Sequence, residues 1–473
     1  MSAIRLSDHF NYGRLIKFTL PSILMMIFTS IYGMVDGYFV SNYIGKTEFA
    51  ALNLIWPFPM VIGAIGYMFG AGGTALVSKT LGEGDREKAS RIFSLIIYSL
   101  AGLGTLLGIA GLLLVRPVAI MMGASGELLE QAVIYGSIIM AGIPTFMLQC
   151  AFQPLMVTAE RPKLGFWITL ASGLTNMVAD WLLIGVLGGG LEAAAAATVL
   201  SQVVGAAWPI LFFALPNRSL LRFSRAERDF GAIVKTCSNG MSEFVSNVAL
   251  SLVSMIYNAR LLALAGENGV SAYGVIMYVA LLFLAVFFGY SMGAAPVISF
   301  HFGAGNLEEV RNIRKRSLVI QTCFALVSTG AAMVSARWIA GIFTGYDREL
   351  WELSTRAFRL YSLSFLLSHF NIFASAFFTA LNDGITSAKI SLSRMFIFQI
   401  SAVLLLPLAI GLDGIWLAMP ASEVCCCILS AHYYRLYSNR TGRINTSAIS
   451  ENSMPDMVPT AKSNQKTSSH LFN

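Results

Sequence analysis

An acid in the middle of a hydrocarbon layer is costly to bury, so the few ionisable residues inside this chain's long apolar runs are the first place to look for chemistry. Asp36 lies near the outer part of the first run, one helical turn after Tyr32. Asp180 lies in the fifth run with Asn176 one turn before it, hence on the same helix face, and Thr198 sits in the sixth. Carboxylate, amide and hydroxyl oxygens are the hard ligands that a small cation such as Na+ prefers, and paired carboxylates can instead share a proton. The bland alternative puts Asp36 in the headgroup region near Asn42 and gives Asp180 a hydrogen bond to a neighbouring helix. The second half of the chain offers Glu243 in the seventh run, Arg359 and His369 in the tenth, Arg394 in the eleventh and Glu423 in the twelfth. Glu243 is the candidate to face a substrate cavity, while the arginines can snorkel or pair with an acid. Gln149 and Gln153, four residues apart in the fourth run, can present one polar face to a ligand or bridge helices.

The elements that must carry these residues follow from composition. Of 473 residues, 56% are hydrophobic and 12% charged, against roughly a quarter charged in an ordinary soluble domain. The apolar residues come in blocks long enough to cross a layer about 30 Å thick, and backbone groups there must bond within their own segment, so the blocks read as helices. An outer-membrane barrel would need short alternating strands, which do not run through the chain. Spans are expected near 15–40, 50–78, 92–115, 131–158, 163–187 and 192–214, then 232–262, 270–298, 317–343, 357–380, 386–410 and 414–434. The first is too long for the core of a secretory signal peptide and reads as an uncleaved span. Lys and Arg cluster in alternate loops, at Lys79 to Arg91, Arg161 and Lys163, Arg218 to Lys235, and Arg311 to Arg316, which predicts a plasma-membrane protein with both termini cytoplasmic. That positive charge serves topology and anionic lipid; a nucleic-acid partner would need a soluble basic surface. Cys425, Cys426 and Cys427 are consecutive on a helix and point away from any shared ligand position, so neither a zinc site nor a disulfide framework is expected. No cofactor is expected either.

Sliding the chain against itself by 221 residues aligns two loops without a gap. Gly72 falls on Gly293, Ser78 on Ser299, Gly82 on Gly303, Gly84 on Gly305 and Glu87 on Glu308, while Thr158-Ala159 falls on Thr379-Ala380. Six spans separate the copies, so both halves have the same orientation and frame a cleft between two bundles. The domains are then a first lobe at 1–214, a linker at 215–235, a second lobe at 236–440 and a polar, disordered tail at 441–473. The Gly-x-Gly of each loop reads as chain reversal after a helix, since no Walker pattern surrounds it. The same shift places Asp36 on Tyr257, Asn176 on Ile397 and Asp180 on Ser401. The acids are thus confined to the first half, and the shared scaffold does not require them.

With Pro21 in the first span, the run Val35-Asp36-Gly37-Tyr38-Phe39-Val40-Ser41-Asn42-Tyr43-Ile44-Gly45, both Gly-x-Gly loops, and Asn176, Asp180 and Thr198, the chain resembles the multidrug and toxic compound extrusion (MATE) transporters to about residue 440. The resemblance implies an all-α membrane protein of twelve helices in two lobes that exports organic, often cationic, amphipathic compounds in exchange for Na+ or H+. It implies a cation site at Asp36, Asn176, Asp180 and Thr198, cavity positions at Tyr32 and Gln153, and a bend of the first helix at Pro21. Other members place essential acids in the second lobe; Glu243 is a candidate for the first of these, but the tenth span carries Arg359 and His369 and no acid, a departure from that pattern. The chain is read as a monomer. The rival reading, a lipid or lipid-linked saccharide flippase, would need several basic groups in the cleft to hold a pyrophosphate. An intramembrane enzyme would need clustered Asp or His motifs that are not found.

Overall fold

The computed structural model describes residues 4–44, 46–217, 219–226, 229–345 and 347–452, and among these it is helical with no strand. The chain divides into a compact unit Met1–Ser430 and a second unit from Ala431, the end of the last helix. The first lobe contains α1 (Tyr12–Tyr43), α2 (Lys46–Ile55), α3 (Pro57–Gly82), α4 (Arg86–Met121), α5 (Gly126–Thr158), α6 (Pro162–Asp180) with a π-helical continuation Trp181–Val186, and α7 (Leu191–Ala214). The second contains α8 (Phe230–Gly303), α9 (Leu307–Thr344), α10 (Arg348–Ser362), α11 (Phe365–Ala380), α12 (Gly384–Leu392) with a π-helical continuation Ser393–Gln399, α13 (Ile400–Ile410) and α14 (Leu412–Asn452).

Among the described residues ten helices are long and apolar enough to cross a membrane, and the bent pair α10 and α11 supplies an eleventh crossing. Helix α8 supplies one more. Gly266 breaks it with φ 61° and ψ −152°. A straight helix would hold residues 257 and 273 about 24 Å apart, yet the rings of Tyr257 and Tyr273 stack at 4.8 Å. The chain therefore folds back at Gly266, and twelve crossings result, as the hydropathy predicts. Apolar side chains such as Leu113, Val334 and Leu408 are 76%, 85% and 76% exposed, a surface that only lipid can cover.

Three details differ from the sequence expectation. The span near 50–78 is two helices, because Pro57 opens α3 at its first turn after Trp56. The connection between lobes runs over residues 215–229, since helix resumes at Phe230 rather than after 235. Helix α14 continues to Asn452 into the expected tail, of which residues 453–473 lie outside the described residues.

The repeat reappears in the geometry of the two aligned loops. Asp85 caps α4 by accepting from Lys88 N–H, and Asn306, its counterpart, caps α9 by accepting from Glu309 N–H. Gly84 and Gly305 turn the chain at φ 89° and 72°, conformations that a Cβ disfavours. Gly82 and Gly303 bring the lobes together: a Cβ on Gly82 would strike the Phe300 carbonyl, and one on Gly303 would strike the Lys79 carbonyl, itself the counterpart of Phe300. Gly72 and Gly240 let α3 and α8 approach as closely, and Gly289 and Gly293 do so for α8 against Ile23 and Thr19 of α1. Ser299 Oγ donates to the Ala75 carbonyl at 2.6 Å across the same seam.

A short N-terminal strap clasps this basic end. Leu6 and Phe10 are fully buried. Leu6 N–H donates to Glu160 Oε1 of the first lobe at 2.6 Å, while Phe10 N–H donates to Glu309 Oε1 of the second at 2.8 Å. Arg316 Nη1 donates to the Phe10 carbonyl at 2.5 Å. Burial pushes the Glu160 carboxyl above its ordinary range, partly offset by the bond from Leu6. At this end the two lobes are closed.

Candidate functional site

Asp36 on α1 and Asn176 and Asp180 on α6 meet inside the first lobe, because α1 packs along α6. Gly173 makes that approach possible by leaving room for the rings of Phe28 and Tyr32. Asn176 is 2% and Asp180 0% exposed. The π-helical turn Trp181–Val186 begins directly after Asp180, and such turns are common at functional sites because they re-aim side chains. Oδ1 of Asp36, Oδ1 of Asn176 and both carboxylate oxygens of Asp180 are buried without a hydrogen-bond partner. Unpaired buried polar oxygens are expensive, and a cation or a shared proton is the kind of partner that could satisfy four so grouped.

Around this cradle stand two tyrosines. Tyr32 and the fully enclosed Tyr135 lie within electrostatic reach of Asp36, and Tyr135 also of Asp180. Cys150 on α5 and Tyr67 on α3 lie within electrostatic reach of Tyr32, and Tyr67 lies within reach of Glu243 on α8. Glu243 is half-buried and lies within electrostatic reach of Tyr67 of the first lobe and Arg394 of the second. Tyr67, Tyr135 and Cys150 carry no sequence signal, since tyrosine and cysteine in apolar spans are ordinary packing residues.

The other candidates fall elsewhere. Thr198 stands half-buried on α7 with its carbonyl accepting from Ser201, and among the described residues its hydroxyl makes no hydrogen bond to the acids. Gln149 Nε2 is committed to Ser172 Oγ at 2.9 Å, over Gly205, which leaves it space. Gln149 and Gln153 line a cavity of about 10 Å³ between α5, α6 and α7, room for one water. They do not border a wide cleft there. Pro21 lies within a continuous α1. Arg359 is exposed at the end of α10, and His369 is tied to Thr322 at 3.1 Å.

In the second lobe, Glu423 is fully buried and fully bonded. Its Oε1 accepts from Arg394 Nε at 2.9 Å, Arg394 Nη2 at 2.5 Å and Ser368 Oγ at 2.9 Å, and its Oε2 accepts from Asn371 Nδ2 at 2.6 Å. Arg394 sits in the π-helical turn after α12. At the positions matching the first-lobe acids, Tyr257 is packed with Tyr273 in an aromatic core.

A family model described as MatE matches residues 21–182 and 244–404, two copies whose spacing agrees with the repeat to within two residues. The chain belongs to the MatE family. It is 24% identical over 432 residues to the multidrug export protein MepA of Staphylococcus haemolyticus (strain JCSC1435), covering 91% of this chain and 95% of that protein. It is 22% identical over 443 residues to the protein of the same name from Staphylococcus aureus (strain NCTC 8325 / PS 47), covering 93% and 97%. A solved structure described as the outward-facing conformation of a multidrug resistance MATE family transporter of the MOP superfamily matches with a TM-score of 0.88 at 20% identity, over 94% of this chain and 99% of that one. This MatE protein is thus a two-lobed, multi-pass membrane protein of a transporter family. Among its described residues no group of three or more His, Cys, Asp or Glu side chains could hold a metal ion.

Proposed function

We propose that this MatE protein exports organic, often cationic, amphipathic compounds in exchange for Na+ or H+, and that the coupling cation binds between Asp36, Asn176 and Asp180. The reading is carried by the four buried, unbonded oxygens of those residues. A cation there converts an expensive arrangement into a satisfied one, and it does so only when α1 and α6 hold the two acids together. That is the requirement for coupling: the cation must favour one conformation and the substrate another. The positive-inside rule makes the basic end cytoplasmic. Its closure by the strap and the glycine seam then corresponds to an outward-facing state, in which cations enter from outside. Occupation of the cradle repacks α1, where Pro21 withholds one backbone hydrogen bond and lowers the cost of bending. The first-lobe cavity shrinks and the substrate leaves outward. Return to the inward-facing state releases the cation to the cytoplasm.

The flippase alternative is not favoured, because of the two arginines that could hold a pyrophosphate Arg394 is consumed by Glu423 and Arg359 is exposed at the end of α10. Efflux of a fluorescent organic cation from proteoliposomes under imposed Na+ or proton gradients tests the proposal. The wild type should transport with one of the two gradients, and Asp36→Asn and Asp180→Asn should each lose that transport at normal protein levels. Undiminished transport by both variants would remove the cradle from the mechanism.

A further inference from the structure

We propose that Arg394 is a counter-cation built into the second lobe, which cancels the charge of Glu423 and leaves Glu243, of the two acids deep in its spans, as the one open to a cationic substrate. The inference rests on the export reading above and specifies how charge selectivity arises within it.

The geometry separates Glu243 and Glu423, the two acids deep in the spans of this lobe. Glu423 has no exposed surface, and its carboxylate is saturated by Arg394, Ser368 and Asn371. Asn371 also donates to the Glu423 carbonyl at 3.0 Å and is itself held by Ser430 at 2.9 Å, so the acid cannot turn toward the cleft without breaking a network. Glu243 differs. It is half-buried, and among the described residues no hydrogen bond reaches its carboxylate. It lies within electrostatic reach of Tyr67 of the opposite lobe and of the Arg394 charge. The repeat supplies an internal control: the first-lobe counterpart of Glu423 is Gln202, and that of Arg394 is Gly173, whose open side is filled by Phe28 and Tyr32. Where the guanidinium is missing, its partner acid is missing too.

The charge count follows directly. Glu243, Arg394 and Glu423 together carry one net negative charge, which matches an organic monocation. Removing the guanidinium charge makes it two, and neutralising Glu423 instead makes it zero. A unit charge several ångströms from a ligand in a medium of effective dielectric constant near 20 changes affinity by about tenfold or more.

Ethidium and propidium share a ring system but carry one and two positive charges, so their affinity ratio reads the site's charge rather than its shape. Both dyes would be titrated by fluorescence into the detergent-purified full chain. Arg394→Gln should shift the ratio about tenfold toward propidium, and Glu423→Gln about tenfold toward ethidium. The double variant Arg394→Gln/Glu423→Gln restores one net negative charge and should return to the wild-type ratio. If Arg394→Gln does not fold, Glu423→Gln against the double variant gives the same single-charge step. A ratio that stays fixed through these steps, with both dyes still bound, would overturn the proposal and leave Arg394 a purely structural residue. A wild type that binds neither dye and shows no gradient-driven efflux would instead overturn the export reading.

Discussion

The first lobe groups two carboxylates and an amide with four buried oxygens unbonded, whereas the second surrounds the buried Glu423 carboxylate with an arginine, a serine and an asparagine. Both clusters lean on matching helices, α6 and the α12 to α13 span, and both sit beside a π-helical turn. The difference shows what a buried charge is for. An acid with its partner attached to the chain gains nothing from an ion in solution, so it fixes structure. An acid pair without partners gains from each ion that arrives, so it can transduce a gradient.

The sharpest way to break this comparison is to neutralise the first-lobe acids. Asp180→Asn and Asp36→Asn should abolish gradient-driven efflux. They should also remove the rise in melting temperature that the coupling cation gives the wild type, because mass action stabilises only a protein with a site. In the second lobe the expectation inverts. Arg394→Ala leaves Glu423 buried and unpaired and should cost about 3–5 kcal/mol, seen as a fall in melting temperature in detergent. Removing both charges together should recover most of that loss. A smaller effect belongs to the seam that both lobes share: Gly82→Ala or Gly303→Ala should weaken the closed basic end by about 1–3 kcal/mol through forced separation of the helices. Labelling of Ser299→Cys from the basic side, accelerated in the glycine variants, measures it. Smallest of all, Gln153→Ala, at the edge of a one-water cavity, should change transport less than about twofold, since the site can refill with solvent.

Much of this architecture was legible in the residues. The twelve crossings follow from hydropathy, and the repeat from Gly82, Gly84 and their counterparts, whose spacing survives because close packing and positive φ tolerate little else. The meeting of Asp36 with Asn176 and Asp180 could be anticipated only as three oxygen-bearing residues in apolar spans; that α1 lies along α6 is a tertiary fact. The Arg394–Glu423 pair was invisible as a pair, because 29 residues and two helices separate its members. Tyr67, Tyr135 and Cys150 could not be distinguished from packing. Gln149 and Gln153 read as a polar face, but one amide is taken by Ser172, a contact that sequence spacing does not encode.

The strap over the basic end joins chain segments made far apart in time. Leu6 to Phe10 leave the ribosome first, but Glu309 and Arg316, which receive Phe10, are synthesised about 300 residues later. The second half of the clasp cannot form until the second lobe has inserted, so an incomplete chain leaves Phe10 without the groups that hold it. Its docking marks the moment at which the two lobes are joined, and its exposure offers quality-control proteases a means to tell a half-built transporter from a complete one.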